Sequence, residues 1–383
     1  MKLTRKRKLH IIAWTLTVLF SIVFLFFGNK LVSKDLSIFK GEDKVIVAKV
    51  TELGELIDNS IEGTDYVSKT QIFFAKITKG ESKGKLVLAY QQIDSFSAYQ
   101  DELVSVGDTV TLYQNAYSQD TDNWIFGDYY RIDNILILSI IFVVLILIFG
   151  RIKGFNTIIS LLFTIAAVFL FFVPAILNGY NVYLMSVITC IYTIVMTLMI
   201  TNGPSSKSFT TILGCAFGVT VAALLNVVFS KLMHMSGIID EHSVYLQYLS
   251  NGKTLDLKAL IFAMTIIGAL GAVMDVAMDI SSSLSEIHHH SPELNFLELY
   301  KSGIRIGRDV MGTMANTLVL AYAGSSLCST LLNITYSASL LELMNREGVA
   351  VELLQSLLGS MAILLTIPLT SIVCSVLYTR KQK

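Results

Sequence analysis

The chain has 383 residues, of which 53% are hydrophobic and only 15% are charged, and its mean hydropathy is +0.63. Soluble domains carry about 25% charged residues, so this composition excludes an ordinary cytosolic enzyme, and its high hydrophobicity excludes a disordered chain. Basic and acidic residues number 29 each, which makes the net charge zero. The composition therefore indicates an integral membrane protein whose few charges are informative through their positions.

Eight apolar stretches are long enough to cross a bilayer as helices, since about 20 residues rising about 1.5 Å each cover its hydrocarbon core. The expected fold is an all-α polytopic membrane bundle of about eight transmembrane helices, with a small all-β domain inserted after the first. The stretches cover residues 11–28, 134–150, 155–177, 182–202, 209–230, 259–280, 310–332 and 354–378.

The distribution of basic residues predicts the orientation of these helices. A basic run precedes the first apolar stretch and no cleavage site follows it, which indicates an uncleaved signal anchor. The segments predicted to be cytoplasmic hold fourteen basic residues, whereas the outer loops after the second span hold four. By the positive-inside rule both termini are cytoplasmic. The predicted division is residues 1–30 as tail and anchor, 31–133 outside, and 134–383 as a seven-helix membrane domain.

The outside domain alternates apolar and polar residues in short stretches separated by turn-forming residues. This pattern predicts five or six strands in a small antiparallel barrel or sandwich. Ten basic and seventeen acidic residues give the domain a net charge of −7, which disfavours nucleic acid as a partner. A structural or partner-docking role and a ligand-binding role both remain open. The predicted strands are 44–53, 70–78, 85–93, 109–115 and 123–132, with a predicted turn at 118–123.

No metal or other cofactor is expected. The four cysteines all lie inside predicted spans and show no zinc-binding spacing, so we expect them to behave as small apolar residues. The three histidines of 288–290 have no second ligand cluster nearby in the sequence, and a solvated turn is the simpler interpretation.

The sixth span carries acidic residues on one helix face. Gly268, Gly271, Asp275, Asp279, Ser282 and Glu286 recur every three or four residues, so a continuous helix places them on one side. An ionisable residue in hydrocarbon is costly and therefore marks a candidate functional site. Asp275 lies deepest and is the predicted ion- or proton-coupling group. Asp279 and Glu286 either form an exit path or simply reach cytoplasmic water and pair with basic residues.

The seventh span carries neutral polar residues on a comparable face. Gly312 and Asn316 lie on this face, and Asn316 and Thr317 are mid-membrane hydrogen-bonding groups, which need partners there. We expect Asn316 to face Asp275 across two small-residue surfaces; the alternative is that Asn316 and Thr317 only hold helices together. Residues 292–300, ahead of this span, predict a separate interfacial helix that starts at Pro292.

Two further spans carry small or hydroxyl residues at helical spacing, which is typical of close helix packing. The fifth has Gly214, Gly218, Ala222 and Asn226, and the fourth has Ser186, Thr193, Thr197 and Thr201.

These motifs resemble those of the YibE/F family of bacterial multi-spanning membrane proteins. The resemblance lies in GAVMDVAMDISSSLSEI (271–287), SGIRIGRDVMGTMANTLVLAYAGSSL (302–327) and GRIKGF (150–155), and it covers about residues 135–380. The extra first span and outside domain are similar to the longer, YibE-type members. The resemblance implies a multi-pass protein of the bacterial cell membrane, paired with a shorter YibF-type protein or with itself.

Two functions fit this sequence. The first is a gradient-driven permease or permease subunit that uses Asp275, a reading supported by a more distant similarity to half of an RND-type or SecD/SecF-type permease. The second is a non-transporting scaffold or assembly factor that recruits a partner through its outside domain. An enzyme is not expected, because the sequence has no HExxH, GxSxG or Walker A motif. The substrate cannot be deduced from these residues.

Overall fold

The computed structural model describes residues 5–33, 45–60, 68–79, 82–94, 102–114, 123–249 and 255–380. The chain forms two compact units: residues 38–145 make one, and residues 1–37 together with 146–383 make the other. Most of the predicted turn at 118–123 and the first four residues of the basic N-terminal run lie outside the described residues.

The first unit contains a closed five-stranded β-barrel, which confirms the predicted small β domain. Its strand order is β1-β2-β3-β5-β4, and β4 pairs back to β1. All neighbours are antiparallel except β3 and β5, which are parallel. The prediction of a wholly antiparallel barrel is therefore wrong, because a closed ring with an odd number of strands must contain a parallel pair. The strands are β1 (Val45–Asp58), β2 (Ser68–Lys79), β3 (Leu86–Asp94), β4 (Thr109–Gln114) and β5 (Asn123–Tyr129).

The barrel interior is filled by every second residue of its strands, as the period of two along a strand requires. Phe73, Ala89 and Trp124 lie in one row across β2, β3 and β5, and all three are buried. The remaining buried apolar residues of this core are Ala48, Val50, Ala75, Ile77, Val87, Val104, Val110 and Leu112.

Lys79 links the end of β2 to residues that follow β5. Its ammonium donates hydrogen bonds to the Tyr130 hydroxyl at 2.5 Å and to the Asp133 carboxylate at 3.1 Å. The bond to Tyr130, followed by the bond to Asp133, raises the pKa of Lys79 above its usual value. Because the Lys79 and Asp133 side chains are both more than half exposed, water screens their attraction and the ion pair adds little to stability.

The second unit is helical. Several of its helices begin at a residue whose side chain accepts a hydrogen bond from the first turn: Asn181, Ser205, Asp256 and Asn295. The helices of the described chain are α1 (Arg5–Val32), α2 (Ile132–Ala166), α3 (Val173–Leu177), α4 (Val182–Asn202), α5 (Ser206–Leu232), α6 (Glu241–Leu249), α7 (Leu257–His290), α8 (Phe296–Ser325), α9 (Leu327–Thr335), α10 (Leu340–Asn345) and α11 (Glu347–Arg380). A π-helical segment, Ala167–Phe172, joins α2 to α3.

Six helices of the described residues are long and apolar enough to cross a membrane, and the number is seven if α8 and α9 form one broken span. Eight were expected. The predicted second and third spans are one helical stretch, Ile132–Leu177, in which Arg151 alone has a non-helical backbone (φ 48°, ψ −124°). The predicted seventh span, 310–332, is divided, because α9 turns by 62° from α8 after Ser325. The chain is therefore a multi-pass membrane protein with fewer separate apolar helices than apolar sequence stretches.

The helix predicted at 292–300 begins at Phe296 rather than at Pro292, and it is not separate from the seventh span. Helix α8 begins after Asn295, and a capping box between Asn295 and Glu298 specifies this start. Neither proline nor a second cap follows, so the helix continues without a break into the membrane-length segment and ends at Ser325.

Helix α11 lies at the centre of the helical unit. It packs against α5, α7 and α8, while α7 also contacts α4, α5 and α8. The buried apolar core shared by these helices includes Ile266, Val273, Ile280, Leu284 and Ile363, which are fully buried. Helix α7 thus has one face in the core and leaves another face for the candidate site.

We expect Phe73→Ala to destabilise the barrel by about 3–5 kcal/mol, because it removes a fully buried aromatic ring from the core. The matched control is Leu53→Ala in β1, whose side chain is 41% exposed. Trp124 fluorescence reports barrel unfolding when the other tryptophan, Trp14, is replaced by phenylalanine. Equal unfolding midpoints for the Phe73 and Leu53 variants would contradict the described core.

Candidate functional site

The predicted acidic face of α7 is open in this structure. Gly268, Gly271, Asp275, Asp279 and Glu286 are all exposed on the surface of the described chain, and these five residues are called the open face below. The opposite side of α7 is buried in the bundle core. The periodicity of the sequence therefore corresponds to a real division of the helix into a packed face and an unpacked one.

Asp275 lies near the middle of α7. The helix has 34 residues, and Asp275 is eighteen residues after Leu257 and fifteen before His290. Within the part of the chain that the structure describes, no basic side chain forms an ion pair with its carboxylate. Its acidic neighbour Asp279, one turn further along, adds electrostatic repulsion. Asp275 is thus an uncompensated carboxylate within a membrane-length helix, which makes it a candidate functional group.

A cavity of about 340 Å³ lies beside the open face, between α7, α4 and the second half of α2. It is called the hydroxyl cavity here, because six serine or threonine residues line it. On α7 it is bounded by Gly271 and Met274, the latter directly preceding Asp275. The hydroxyl residues are Thr157, Ser160, Thr164, Thr189, Thr193 and Thr197.

Only part of the predicted hydroxyl face of α4 reaches this cavity. Thr193 and Thr197 line it, and Ser160 donates a hydrogen bond to the Thr197 hydroxyl at 3.0 Å. Ser186 and Thr201 instead donate to backbone carbonyls one turn earlier in α4, at 2.6 and 2.7 Å. The cavity wall is therefore mostly apolar, with neutral hydroxyl groups set into it and no charged side chain among its lining residues.

Asp279 and Glu286 lie nearer the end of α7, where basic groups are available. Lys207, at the start of α5, is close enough to both carboxylates for electrostatic attraction. Glu286 also lies 3.3 Å from the His290 imidazole, and both of these side chains are largely exposed. Neither carboxylate pairs with Arg305 or Arg308 in the described chain, so the cation beside them is Lys207, which the sequence analysis had not considered.

The structure does not bring Asn316 to Asp275. Both side chains are exposed, and no hydrogen bond of the Asn316 side chain is found among the described residues. Thr317 donates to the Thr313 carbonyl at 2.8 Å within its own helix. Gly312 is exposed as well, and a methyl group built on it would meet no atom within 4 Å. Gly312, Asn316 and Thr317 therefore form a polar surface of α8, called the α8 face, that nothing in the described chain covers.

The small residues of α5 are used for close packing against other helices. A methyl group on Gly214 would lie 2.2 Å from the Thr370 hydroxyl, and one on Gly218 would lie 2.1 Å from the Thr366 hydroxyl. Asn226 is buried and donates a hydrogen bond to the Thr265 hydroxyl of α7 at 2.8 Å. Neither glycine could gain a side chain without moving α5 away from α11.

The equivalent contact of α8 uses two glycines that the sequence analysis missed. A methyl group on Gly303 would lie 2.4 Å from the Ser371 hydroxyl, and one on Gly307 would lie 2.1 Å from an Ile367 methyl group of α11. Their spacing of four is the small-xxx-small signal. It was overlooked because both glycines precede the predicted seventh span, which began at residue 310.

A second cavity, of about 400 Å³, was also missed. It lies between α7, α8, α11 and the π-helical segment, and its lining includes Gly268, Tyr322, Glu352 and Gln355. The Tyr322 hydroxyl would lie 2.1 Å from a methyl group on Gly268, so this glycine makes room for the tyrosine. Glu352 escaped notice because the predicted eighth span began two residues later.

The described residues contain no group of three or more histidine, cysteine, aspartate or glutamate side chains that could hold a metal ion. Of the 288–290 histidines, His288 stacks on the Tyr378 ring with 5.6 Å between centroids. Cys190, Cys215 and Cys374 are buried and Cys328 is exposed, and all four are free thiols. The expectation that Cys328 would be buried is thus wrong, because α8 and α9 bend apart at this point.

Comparison with known proteins gives one family. Residues 138–380 match the family described as YibE/F-like protein. No curated protein and no solved structure matches the chain. The matched region contains α4 to α11 with both cavities, and it leaves out the barrel.

The two glycine environments lead to opposite expectations for the same substitution. Gly218→Ala should lower the free energy of unfolding by about 1–3 kcal/mol, because the added methyl group overlaps Thr366 and Val273. Gly271→Ala should be neutral or slightly stabilising, since nothing lies within 4 Å and alanine favours helix by about 1 kcal/mol. Thermal unfolding of the purified full chain in detergent measures both. A loss of stability for Gly271→Ala as large as for Gly218→Ala would contradict the described packing.

Proposed function

The chain belongs to the YibE/F-like family, and we propose that it is a gradient-driven permease, or a subunit of one, in which Asp275 couples ion or proton binding to movement. The observation that carries this proposal is an exposed carboxylate near the middle of a membrane-length helix, without an ion-pair partner among the described residues and beside a cavity with hydroxyl groups in its wall. No catalytic step is assigned to the protein.

We further propose eight membrane crossings. The helical stretch Ile132–Leu177 has 46 residues, and at about 1.5 Å per residue it is about 69 Å long, roughly twice the hydrocarbon thickness. The non-helical backbone at Arg151 is a natural division into two spans. Counting α8 with α9 as one broken span brings the total to eight. An even number places both termini on one side, and the basic residues favour the cytoplasmic side of a bacterial cell membrane, with the barrel outside.

The coupling mechanism follows from the cost of charge in hydrocarbon. A carboxylate that is partly removed from water is penalised in its charged form, and binding a proton or cation removes that penalty. The helices around the open face of α7 therefore close to a different degree when Asp275 holds a cation than when it does not. Asp279 and Glu286, beside Lys207, continue the acidic row toward the cytoplasmic end and are the proposed exit path.

The α8 face supports an additional proposal, namely a membrane partner. The Asn316 amide has no hydrogen-bond partner in the part of the chain that the structure describes, and Gly312 offers a surface onto which another helix can pack closely. We propose that a shorter YibF-type protein or a second copy of this chain covers it. Such a partner is compatible with a permease subunit and equally with a non-transporting scaffold, which is the second candidate function.

Asp275→Asn should reduce coupled flux at least tenfold, because the amide neither titrates nor carries charge. The purified chain is reconstituted into liposomes containing a pH-sensitive dye. A proton or sodium gradient is then imposed across the liposome membrane. The coupled flux is measured for each member of a panel of inorganic ions, amino acids and amines. Glu293→Gln, in the exposed segment between α7 and α8, is the control and should behave as the unmodified protein. Unchanged flux in the Asp275 variant, at normal protein levels, would contradict the coupling role.

Gly312→Cys in a Cys328→Ser background should form cross-linked products in oxidised membranes, because the α8 face is proposed to contact a partner. The three remaining cysteines are buried and should not react. Leu224→Cys, on a 63% exposed apolar position of α5, is the control and should give none. A product of twice the chain mass identifies self-association, and a mixed product identifies a second protein. Absence of any product from Gly312→Cys would contradict the partner proposal and leave only the solitary permease.

A further inference from the structure

The cavity between α7, α8, α11 and the π-helical segment, called the Glu352 cavity here, contains polar groups that the protein itself does not satisfy. Gln355 is 3% exposed, and its amide nitrogen has no hydrogen-bond partner among the described residues. The Tyr322 hydroxyl is also buried without a partner in the described chain. Buried polar atoms are almost always paired, so two unpaired ones lining the same cavity are available to bind a polar ligand or water there.

The charge of this cavity limits what that ligand can be. Glu352 is half-buried, and no basic side chain of the described residues forms an ion pair with it. The remaining polar groups, on Tyr322, Ser325 and Gln355, are neutral. One carboxylate among neutral groups is balanced by a single positive charge. A divalent cation would leave an excess charge next to hydrocarbon, and an anion would be repelled.

The neutral groups can serve as ligands of a cation. The hydroxyl oxygens of tyrosine and serine accept hydrogen bonds or coordinate a positive ion, and so does the carbonyl oxygen of a glutamine amide. The amide of Gln355 presents either its oxygen or its nitrogen by a half-turn of the terminal group. The cavity therefore offers a carboxylate with up to three neutral oxygens, a set that suits a hard monovalent ion or an ammonium group.

The cavity also has room and apolar walls for more than a bare ion. Its volume is about 400 Å³, and Phe172, Leu260 and Met264 contribute apolar surface. Small-molecule sites are commonly 300–1,000 Å³ and mostly apolar with a few polar groups. An organic ammonium fits this description directly, whereas a sodium ion would share the space with water.

The Glu352 cavity lies next to the hydroxyl cavity, and the two share one wall residue. Ile267 of α7 lines both, and the π-helical segment contributes Val168 to one and Phe172 to the other. Both cavities thus lie along the same side of α7, which continues to Asp275. We propose that the Glu352 cavity is a binding site for a monovalent cation, inorganic or organic, at the opposite end of the path that leads to Asp275. Its place on a transport path rests on the proposed function, but cation binding does not.

Direct binding to the purified full chain in detergent tests this site. Radiolabelled sodium ion and radiolabelled methylammonium are the two probes, measured by scintillation proximity at constant ionic strength. We expect saturable binding of at least one probe, and the probe that binds distinguishes an inorganic from an organic cation. Glu352→Gln should weaken that binding at least tenfold. Tyr322→Phe, which removes only an unpaired oxygen and should not reduce stability, should weaken it severalfold. The control Glu293→Gln should bind as the unmodified protein does.

Two results would overturn the site: no saturable binding of either probe, or equal affinities in the Glu352, Tyr322 and Glu293 variants. Should Glu352→Gln fail to fold, Tyr322→Phe decides alone. Binding that depends on Glu352 together with unchanged flux in Asp275→Asn would keep the site and refute the permease. Loss of flux in Asp275→Asn without Glu352-dependent binding would keep the permease and refute the site.

Discussion

Hydrocarbon offers no hydrogen bond, and this constraint accounts for how most polar residues of the helical unit are arranged. In α11 the hydroxyls of Thr366, Ser371 and Ser375 each donate to the carbonyl one turn earlier, at 2.7 Å. Hydroxyl side chains satisfied in this way are short and inert, so helices can approach them closely. Gly218 of α5 and Gly303 of α8 pack against two of these hydroxyls, those of Thr366 and Ser371. Gly214 packs against Thr370, whose hydroxyl has no hydrogen-bond partner among the described residues, and Gly307 packs against the apolar Ile367. Close contacts between glycines and α11 are therefore the basis of the bundle.

The same constraint distinguishes functional polar groups from structural ones. A hydroxyl can donate a hydrogen bond to a backbone carbonyl of its own helix. The carboxylate of Asp275 and the amide of Gln355 form no such bond within their own helices. Asn316 is a third case, exposed and unpaired on the α8 face. Each of these side chains needs an ion, a ligand or a partner, and each therefore leads to a different proposed interaction. The packing of the helices is accounted for without these three side chains.

Much of this architecture could be predicted from local patterns, and the failures have a common cause. The strands of the barrel were predicted within a few residues in most cases, because alternation is a property of each strand alone. The acidic open face of α7 was predicted for the same reason. Whether neighbouring strands are parallel depends on closure of the whole ring, so the β3–β5 pairing could not be found in this way.

The expected contact between Asn316 and Asp275 failed because the rotation of α8 about its axis is a tertiary property. Gly307 and Leu318 belong to the packed side of α8, against α11. Asn316 is two residues from Leu318, about 200° around a helix with 3.6 residues per turn, and therefore lies on the far side. Sequence periodicity shows that a helix has two faces, but contacts elsewhere decide which face meets which neighbour. Glu352 was missed because the predicted eighth span began at residue 354, whereas α11 begins at Glu347, seven residues earlier.

The π-helical segment Ala167–Phe172 has a consequence for how the two cavities are related. A π-helical turn holds more residues than an α-helical turn, and such segments occur frequently at functional sites. The extra residue of this π-helical turn sets the rotation about the helix axis between two residues. These are Val168, which lines the hydroxyl cavity, and Phe172, which lines the Glu352 cavity. Conversion of this one turn to α-helical bonding would rotate Phe172 relative to Val168 by up to about 100°, one residue's share of a turn. A change at this one turn would therefore alter the walls of both cavities at once.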